Sequence, residues 1–467
     1  MTNRRNFLRG SSLGFGGIAL NSLLAGTANA NPLAASPAHF PARAKRIIFL
    51  FMEGGPSSVD TFDFKPDLIK YNEEPIPADL VPRVVREGKA ENPEKFGSLT
   101  SPVSNFQQRG DSGLWISDLF PNIAKHADDL CVLNGVHADN TAHGPATQQF
   151  HTGHIVLSRP SMGSWILYGL GTENEDMPGF VVVSPPAGTA INCGNSFLPA
   201  IYQATVLQDA DKEKGEKIRY LDDQRLPREL RQQQLGFLQR LNQNHLQSAG
   251  EDARLEGMIE SFELAFRMQQ EAPEVLDITG ESDATNALYG IDNPKTEAFG
   301  RQCLTARRLA EAGVRFIQVT SKGWDHHSDI AGNLKKSCVG VDKPIAGLLT
   351  DLKLRGLLDD TLVLWSGEFG RTPVWQALNK KDPPGRGHNP FGFSLWMAGG
   401  GVKGGFAHGS TDNFGYSAVD GRVHVHDLHA TLLHLLGLDH EKLTYRYAGR
   451  DFRLTDVYGN IVKEILA

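Results

Sequence analysis

The chain has 467 residues, 47 lysines and arginines against 54 acids, a formal charge of −7 and 40% hydrophobic residues. That length supports a large core in one big or two ordinary domains, and the acidic balance gives no reason to expect a nucleic-acid partner. Its four cysteines, Cys131, Cys193, Cys303 and Cys338, form no CxxC pair, which argues against a thiolate zinc site and for buried thiols, with one disulfide left open.

Residues 1–30 read as an export signal. Arg4 and Arg5 precede Phe7 and Leu8, a weakly apolar stretch runs from Leu13 to Ala25, and Ala28-Asn29-Ala30 offers a small-residue cleavage site. The pattern resembles a twin-arginine signal, which implies a periplasmic or extracellular protein exported after folding. Its removal takes away three arginines and no acid, leaving about 437 residues and a formal charge of −10. No other run is long and apolar enough to span a membrane.

Short β-rich runs alternate with amphipathic helical patterns beyond the signal, the mark of an α/β fold round a mostly parallel sheet. Strands are expected at Arg46–Met52, Leu130–Leu133, Gly179–Val183, Val314–Val319, Thr361–Trp365 and Ser394–Ala398. The stretch from Glu73 to Asp111, rich in Pro, Glu and Lys, reads as a surface excursion. From Asp222 to Ala272 a glutamine-rich segment with Leu and Phe at helical spacing predicts a helical insertion, a cap or a prop on the sheet's flank. Helices are expected at Phe299–Ala312 and Val341–Leu357. The reading is one domain over residues 31–467.

Ligands of parallel α/β sheets gather outside the carboxyl ends of the strands, where loops converge. Four such places here carry unusual polar residues. The first strand ends at Glu53-Gly54-Gly55, and the fourth leads into "GWDHHSD" with Asp325, His326 and His327. The fifth runs into "SGEFGR" with Glu368 and Arg371, and His388 precedes the last. Carboxylate and imidazole together suit zinc, manganese or iron. Side chains alternate along an extended loop, so Asp325 pairs with His327 and His326 points away. A single such loop is more often a solvated turn than a metal site, and it is the four together that point to a metal. Asp60 and Asp63 suit turn chemistry, Asp427 an N-cap, and His137, His151 and His154 outer or solvated positions.

The segments "FMEGGPSSVDTFDFKP", "NTAHGPATQQFHTG", "GWDHH", "WSGEFGRTP", "GRGHNPFGFSLWMAGGGVKGG" and "DLHATLLHLLGL" resemble a twin-arginine-exported family of unknown function. That family is allied to the alkaline phosphatase and sulfatase superfamily. The resemblance implies an alkaline phosphatase-like three-layer sandwich with helices on both faces of the central sheet. It also implies one or two divalent ions, zinc first, with manganese or calcium as alternatives. By that resemblance Glu53, His143, Asp325, His327, Glu368 and His388 are the metal-ligating positions.

Two of those positions depart from the superfamily pattern. Phe369 stands where a histidine normally follows the acid at Glu368. His143 falls at the nucleophile's place, which leaves three readings: a ligand, a nucleophile or acid/base, and a structural residue. Arg371 is either the fork that neutralises an ester oxyanion or a surface arginine that caps a helix or pairs with an acid. The implied function is a metal-dependent hydrolase of phosphate or sulfate esters, on a small molecule or polysaccharide. The alternative is an inactive relative that works as a binding or scaffold protein.

Overall fold

The computed structural model describes residues 33–81, 97–207, 253–376 and 383–467, with a few positions between 230 and 241. Residues 1–30, read from the sequence as an export signal, and most of the 222–272 segment therefore lie outside the described residues.

The centre is a nine-stranded sheet. In chain order its main strands are β1 (Arg46–Glu53), β2 (Leu130–His137), β3 (Phe180–Val183), β4 (Thr205–Leu207), β5 (Phe316–Lys322) and β6 (Thr361–Ser366). A separate antiparallel pair, β7 (Gly370–Gln376) and β8 (Gly385–Asn389), follows, and then β9 (Phe393–Ala398), β10 (Phe406–His408) and β11 (Val423–His424) return to the sheet. The order across the sheet is β10-β2-β9-β6-β1-β5-β3-β4, with β11 against the end of β2. Only β9 runs against its neighbours, pairing antiparallel with β2 and β6. The protein is thus mixed α/β with a mostly parallel central sheet.

β1 lies between β5 and β6, parallel to both. Ile47 through Met52 are all 0% exposed. That explains the unbroken apolar run in the sequence, because a central parallel strand is covered on both faces. On one face Phe49 stacks on Phe150 at 5.6 Å, and Phe51 meets the edge of His151 at 4.8 Å. Both partners belong to α1 (His143–Thr152), so the apolar face of β1 fixes the helix that opens with His143.

The helix expected at Phe299–Ala312 is α2 (Glu297–Glu311). The next helix is longer than its sequence signal: α3 runs over Ile330–Leu354 rather than starting at Val341. Its first turns hold Gly332, Asn333, Ser337 and Gly340, weak helix formers. Burial of Ile330, Leu334, Cys338 and Val341 on one face outweighs that local preference. Asp329 starts the helix, its carboxylate accepting from Gly332 N–H at 3.3 Å. β2 likewise continues past Leu133 through Asn134-Gly135, a pair that reads as a turn. A side chain at position 135 would collide with the backbone of Asp420 and Gly421, so glycine there serves close packing.

The part of the glutamine-rich segment that is described, Ala253–Leu276, is a helix packed against α2, the arrangement of a prop. The four cysteines are free and buried. At the carboxyl end, α4 (Val425–Leu435) corrects one reading. His424 is the N-cap, and Asp427 closes a capping box by accepting the N–H of His424 at 2.9 Å.

Two buried imidazoles give the fold a pH dependence. Burial pushes His151 down to about 4 and, with the nearby His426 charge, pushes His429 down to about 3. Both stay neutral when folded, whereas an unfolded histidine binds a proton near pH 6.5. The unfolded chain therefore binds more protons below that pH, and stability falls from about pH 6.5 towards 4 by up to about 1.4 kcal/mol per pH unit per histidine. The urea midpoint at pH 5 should lie below that at pH 7, and His429→Leu should flatten the difference.

Candidate metal centre

The carboxyl ends of β1, β5 and β6 lie side by side, and each delivers one acid. β1 ends on Glu53, the loop after β5 carries Asp325 and His327, and the loop after β6 carries Glu368. α1 contributes His143 from its first turn, and β8 contributes His388. A shift of register between Arg386 and His388 in the β7–β8 pair turns His388 towards the others.

Four of the six expected ligands converge. One donor atom each from His143, Asp325, His327 and His388 lies within 4.8 Å of every other, the only such group of three or more among the described residues. Asp325 Oδ1 is the hub. It sits 2.8 Å from His327 Nε2, 3.3 Å from His388 Nε2 and 3.3 Å from His143 Nε2. His327 Nε2 and His388 Nε2 are 2.8 Å apart. His326 turns away to Ser337 Oγ at 3.2 Å.

The second nitrogen of each ring fixes which one carries hydrogen. His388 Nδ1 lies 2.7 Å from the carbonyl of Thr141, and His143 Nδ1 lies 2.6 Å from Glu368 Oε1. Both partners can only accept, so Nδ1 donates and Nε2 is the nitrogen that can offer a lone pair to a cation in place of a proton. His327 Nδ1 pairs with the side-chain amide of Gln376. Three imidazole lone pairs and a carboxylate oxygen thus face one point, and that is stable only with positive charge among them. His143 Nε2 is buried, with Asp325 Oδ1 3.3 Å away. A divalent cation bound at about 2.0–2.2 Å by each donor meets this requirement without a proton.

Charge follows the same geometry. Burial alone would lower His143, but Asp325 and Glu368 on either side raise it to about 9. Asp325, despite partial burial, is held far below the usual carboxylate range by the three histidines and Arg371. Burial lowers His388.

Glu53 and Glu368 stand outside the converging set. Glu368 is wholly buried behind His143, where it also accepts the Gly54 N–H at 3.1 Å. Position 54 has φ +117°, and a side chain there would collide with Trp324 and Asp325. Glycine at that point lets β1 hand its amide to Glu368. Glu53 accepts the Ala187 N–H at 2.6 Å and forms a wall of the cleft beside the four donors. Among the described residues the converging donors form a single group that could hold a metal ion.

Arg371 faces inward and is 1% exposed. Its Nε donates to Gly55 O at 2.9 Å, Nη1 to Arg386 O at 3.2 Å, and Nη2 to Gly54 O and, at 2.6 Å, to Asp325 Oδ1. This is the posture of a residue that positions Asp325, not of a fork open to an ester oxygen. Behind it, Asp60 and Arg386, both 0% exposed at the side chain, form a bidentate pair at 2.7 and 3.2 Å. Arg386 also donates to the carbonyls of Thr100, Ser101 and Thr372, so the pair ties the β8 strand to the loops after β1.

The sequence reading missed Thr141, Gln376 and the Asp60–Arg386 brace. Partners that act through a backbone carbonyl leave no residue-type signal, and Gln376 lies 49 positions from the histidine it orients. Glu368→Gln keeps the shape behind His143 and removes the charge. It should weaken metal binding by about 10- to 100-fold, the usual cost of losing an outer partner, as a competition titration with a chromophoric chelator would read.

Among proteins of curated function, none matches this chain in sequence. Several solved structures share the general arrangement at low identity. A sulfatase, PsFucS1, from Pseudoalteromonas sp. is 13% identical with a TM-score of 0.36, covering 85% of this chain and 69% of its own. The alkaline phosphatase of the Antarctic bacterium TAB5 is 10% identical with a TM-score of 0.34, covering 85% and 99%. A phosphonate monoester hydrolase from Silicibacter pomeroyi is 12% identical with a TM-score of 0.33, covering 84% and 73%. These are loose likenesses. A family model matches the chain over residues 44–466, nearly its whole length, and the chain therefore belongs to DUF1501, a family of proteins of unknown function.

Proposed function

We propose that the protein is an exported hydrolase of phosphate or sulfate esters with one divalent ion held by His143, Asp325, His327 and His388. The observation that carries the metal is the set of three Nε2 lone pairs turned on one carboxylate oxygen. Three imidazoles and a single carboxylate suit zinc, manganese or iron, and disfavour calcium, which takes six to eight oxygens. When bound, such an ion supplies Lewis acidity and lowers the pKa of a coordinated water towards 7.

The chain's own residues do the rest. Glu368 and Thr141 keep Nδ1 of His143 and His388 protonated, so that Nε2 is free to bind. Arg371 holds Asp325 in place. Glu53 gives one oxygen to Ala187 N–H, and its other oxygen takes no hydrogen bond from a described residue. That makes Glu53 the carboxylate of the cleft able to accept a proton from water. Overall, water adds to phosphorus or sulfur, the ester oxygen bond breaks, and the alcohol leaves with a proton. His143 acts as a ligand in this scheme. No nucleophilic serine is needed.

The mature chain, residues 31–467, should contain about one equivalent of metal and hydrolyse aryl sulfates or phosphate esters. Dialysis against a chelator should abolish turnover, and one equivalent of the same ion should restore it. A protein that takes up no zinc, manganese or iron and stays inactive under all three would end this reading. Export is tested separately: Arg4→Lys with Arg5→Lys should keep the protein in the cytoplasm with its first thirty residues attached.

A further inference from the structure

The cleft beside the four donors has a volume of about 490 Å³ and holds three acids, Glu53, Asp325 and Glu368. No lysine or arginine is among the described residues that line it. The nearest guanidinium, Arg371, is spent on Gly54, Gly55 and Asp325 behind the cleft wall. Sites for a dianionic phosphate monoester set a planar fork or an ammonium against its oxygens. Here a bound dication would be held by Asp325 and the histidines, with Glu53 in the cleft wall and Glu368 behind His143. Among the described residues, a substrate with two negative charges at the reacting group would meet Glu53 with no lysine or arginine opposite its second charge.

The rest of the lining is apolar or neutral: Pro145, Ala187 and Ile191, with Gln148 and Asn192. Ile191 is 43% exposed. Gln148 donates its side-chain amide to the carbonyl of Leu157 at 2.8 Å, which brings the segment of Val156 and Leu157 to that side. Those two residues are 73% and 56% exposed. The exposed Ile191, with Pro145 and Ala187 in the same lining, favours an apolar group in the ligand.

We infer that the substrate is an ester with no more than one negative charge on its reacting group, a sulfate monoester or a phosphodiester, carrying an aryl or alkyl group next to it. A dianionic phosphate monoester is disfavoured by the acids of the described lining. The inference rests on the metal reading above and narrows its substrate class.

The test uses the full mature chain loaded with Co²⁺, whose visible absorption reports ligands entering the metal's surroundings. Benzenesulfonate, methanesulfonate and phenylphosphonate are titrated at pH 8.5, where phenylphosphonate is a dianion. Benzenesulfonate should bind at least tenfold more tightly than phenylphosphonate and than methanesulfonate. Ile191→Asp should weaken benzenesulfonate about tenfold and leave methanesulfonate within twofold. Glu53→Gln should narrow the gap between benzenesulfonate and phenylphosphonate.

Phenylphosphonate binding as tightly as benzenesulfonate, or no gain from the ring, overturns the inference. The same preference should appear in turnover, with p-nitrophenyl sulfate or methyl p-nitrophenyl phosphate ahead of p-nitrophenyl phosphate. Discrimination in the spectrum without hydrolysis of any ester would sink the hydrolase reading alone. Hydrolysis that favours p-nitrophenyl phosphate would sink this inference alone.

Discussion

Asp325→Ala will yield a folded protein that has lost its metal. The carboxylate lies within 3.3 Å of all three imidazole nitrogens, and without it those nitrogens present only neutral donors. The apparent affinity should drop by more than about 100-fold, beyond the range that loss of an outer partner produces. The stability cost is smaller. Asp325 is 44% exposed at the side chain, and Arg371 keeps the carbonyls of Gly54, Gly55 and Arg386. A fall of about 1–2 kcal/mol in unfolding free energy is expected from the lost charge-assisted hydrogen bond. Plasma emission counts the metal, and urea unfolding in excess chelator isolates the stability term. His326→Gln is the control, because that ring turns to Ser337, and it should keep a full equivalent of metal. A full equivalent in Asp325→Ala would refute the site.

The second large effect belongs to a residue that never touches the centre. Asp60→Ala removes one half of an ion pair whose two side chains are both 0% exposed. The remaining Arg386 keeps its carbonyl partners, but its charge is left in the interior, which typically costs about 3–5 kcal/mol. Val103 also loses the acceptor of its N–H at 2.9 Å. Because Arg386 lies two residues before His388 on β8, the metal affinity should fall as well. An unchanged urea midpoint in Asp60→Ala would show that the brace contributes nothing. Asp60→Leu combined with Arg386→Met should recover part of the loss, since replacing both charges by apolar groups removes the uncompensated one.

These two residues mark the boundary of what could be read along the chain. Asp325 stands in a loop directly after an apolar strand, and spacing alone pairs it with His327 and turns His326 away. Asp60 has the same composition cues as any turn residue, and its partner lies 326 positions later. The strand cores show the same division. Ile47–Met52 and Leu362–Trp365 are continuous apolar runs, legible because central parallel strands are buried on both faces. The short strands Thr205–Leu207, Phe406–His408 and Val423–His424 have only two or three residues and no pattern of their own. They exist because a neighbouring strand offers hydrogen bonds.

By itself the sequence determined the α/β class, the positions of the long strands and of α2, and the types of side chain that collect at the strand ends. Those follow from hydrophobic periodicity and from where polar residues interrupt it, both local properties. Only the tertiary structure decided that His143, Asp325, His327 and His388 meet, that Glu368 stands behind His143 and Glu53 beside the cleft, and that Arg371 points inward. Those outcomes depend on which strands become neighbours and on directions of side chains set by a bulge, a glycine and a buried ion pair. Spacing along the chain carries no information about any of these, because contacts across hundreds of residues are fixed by packing.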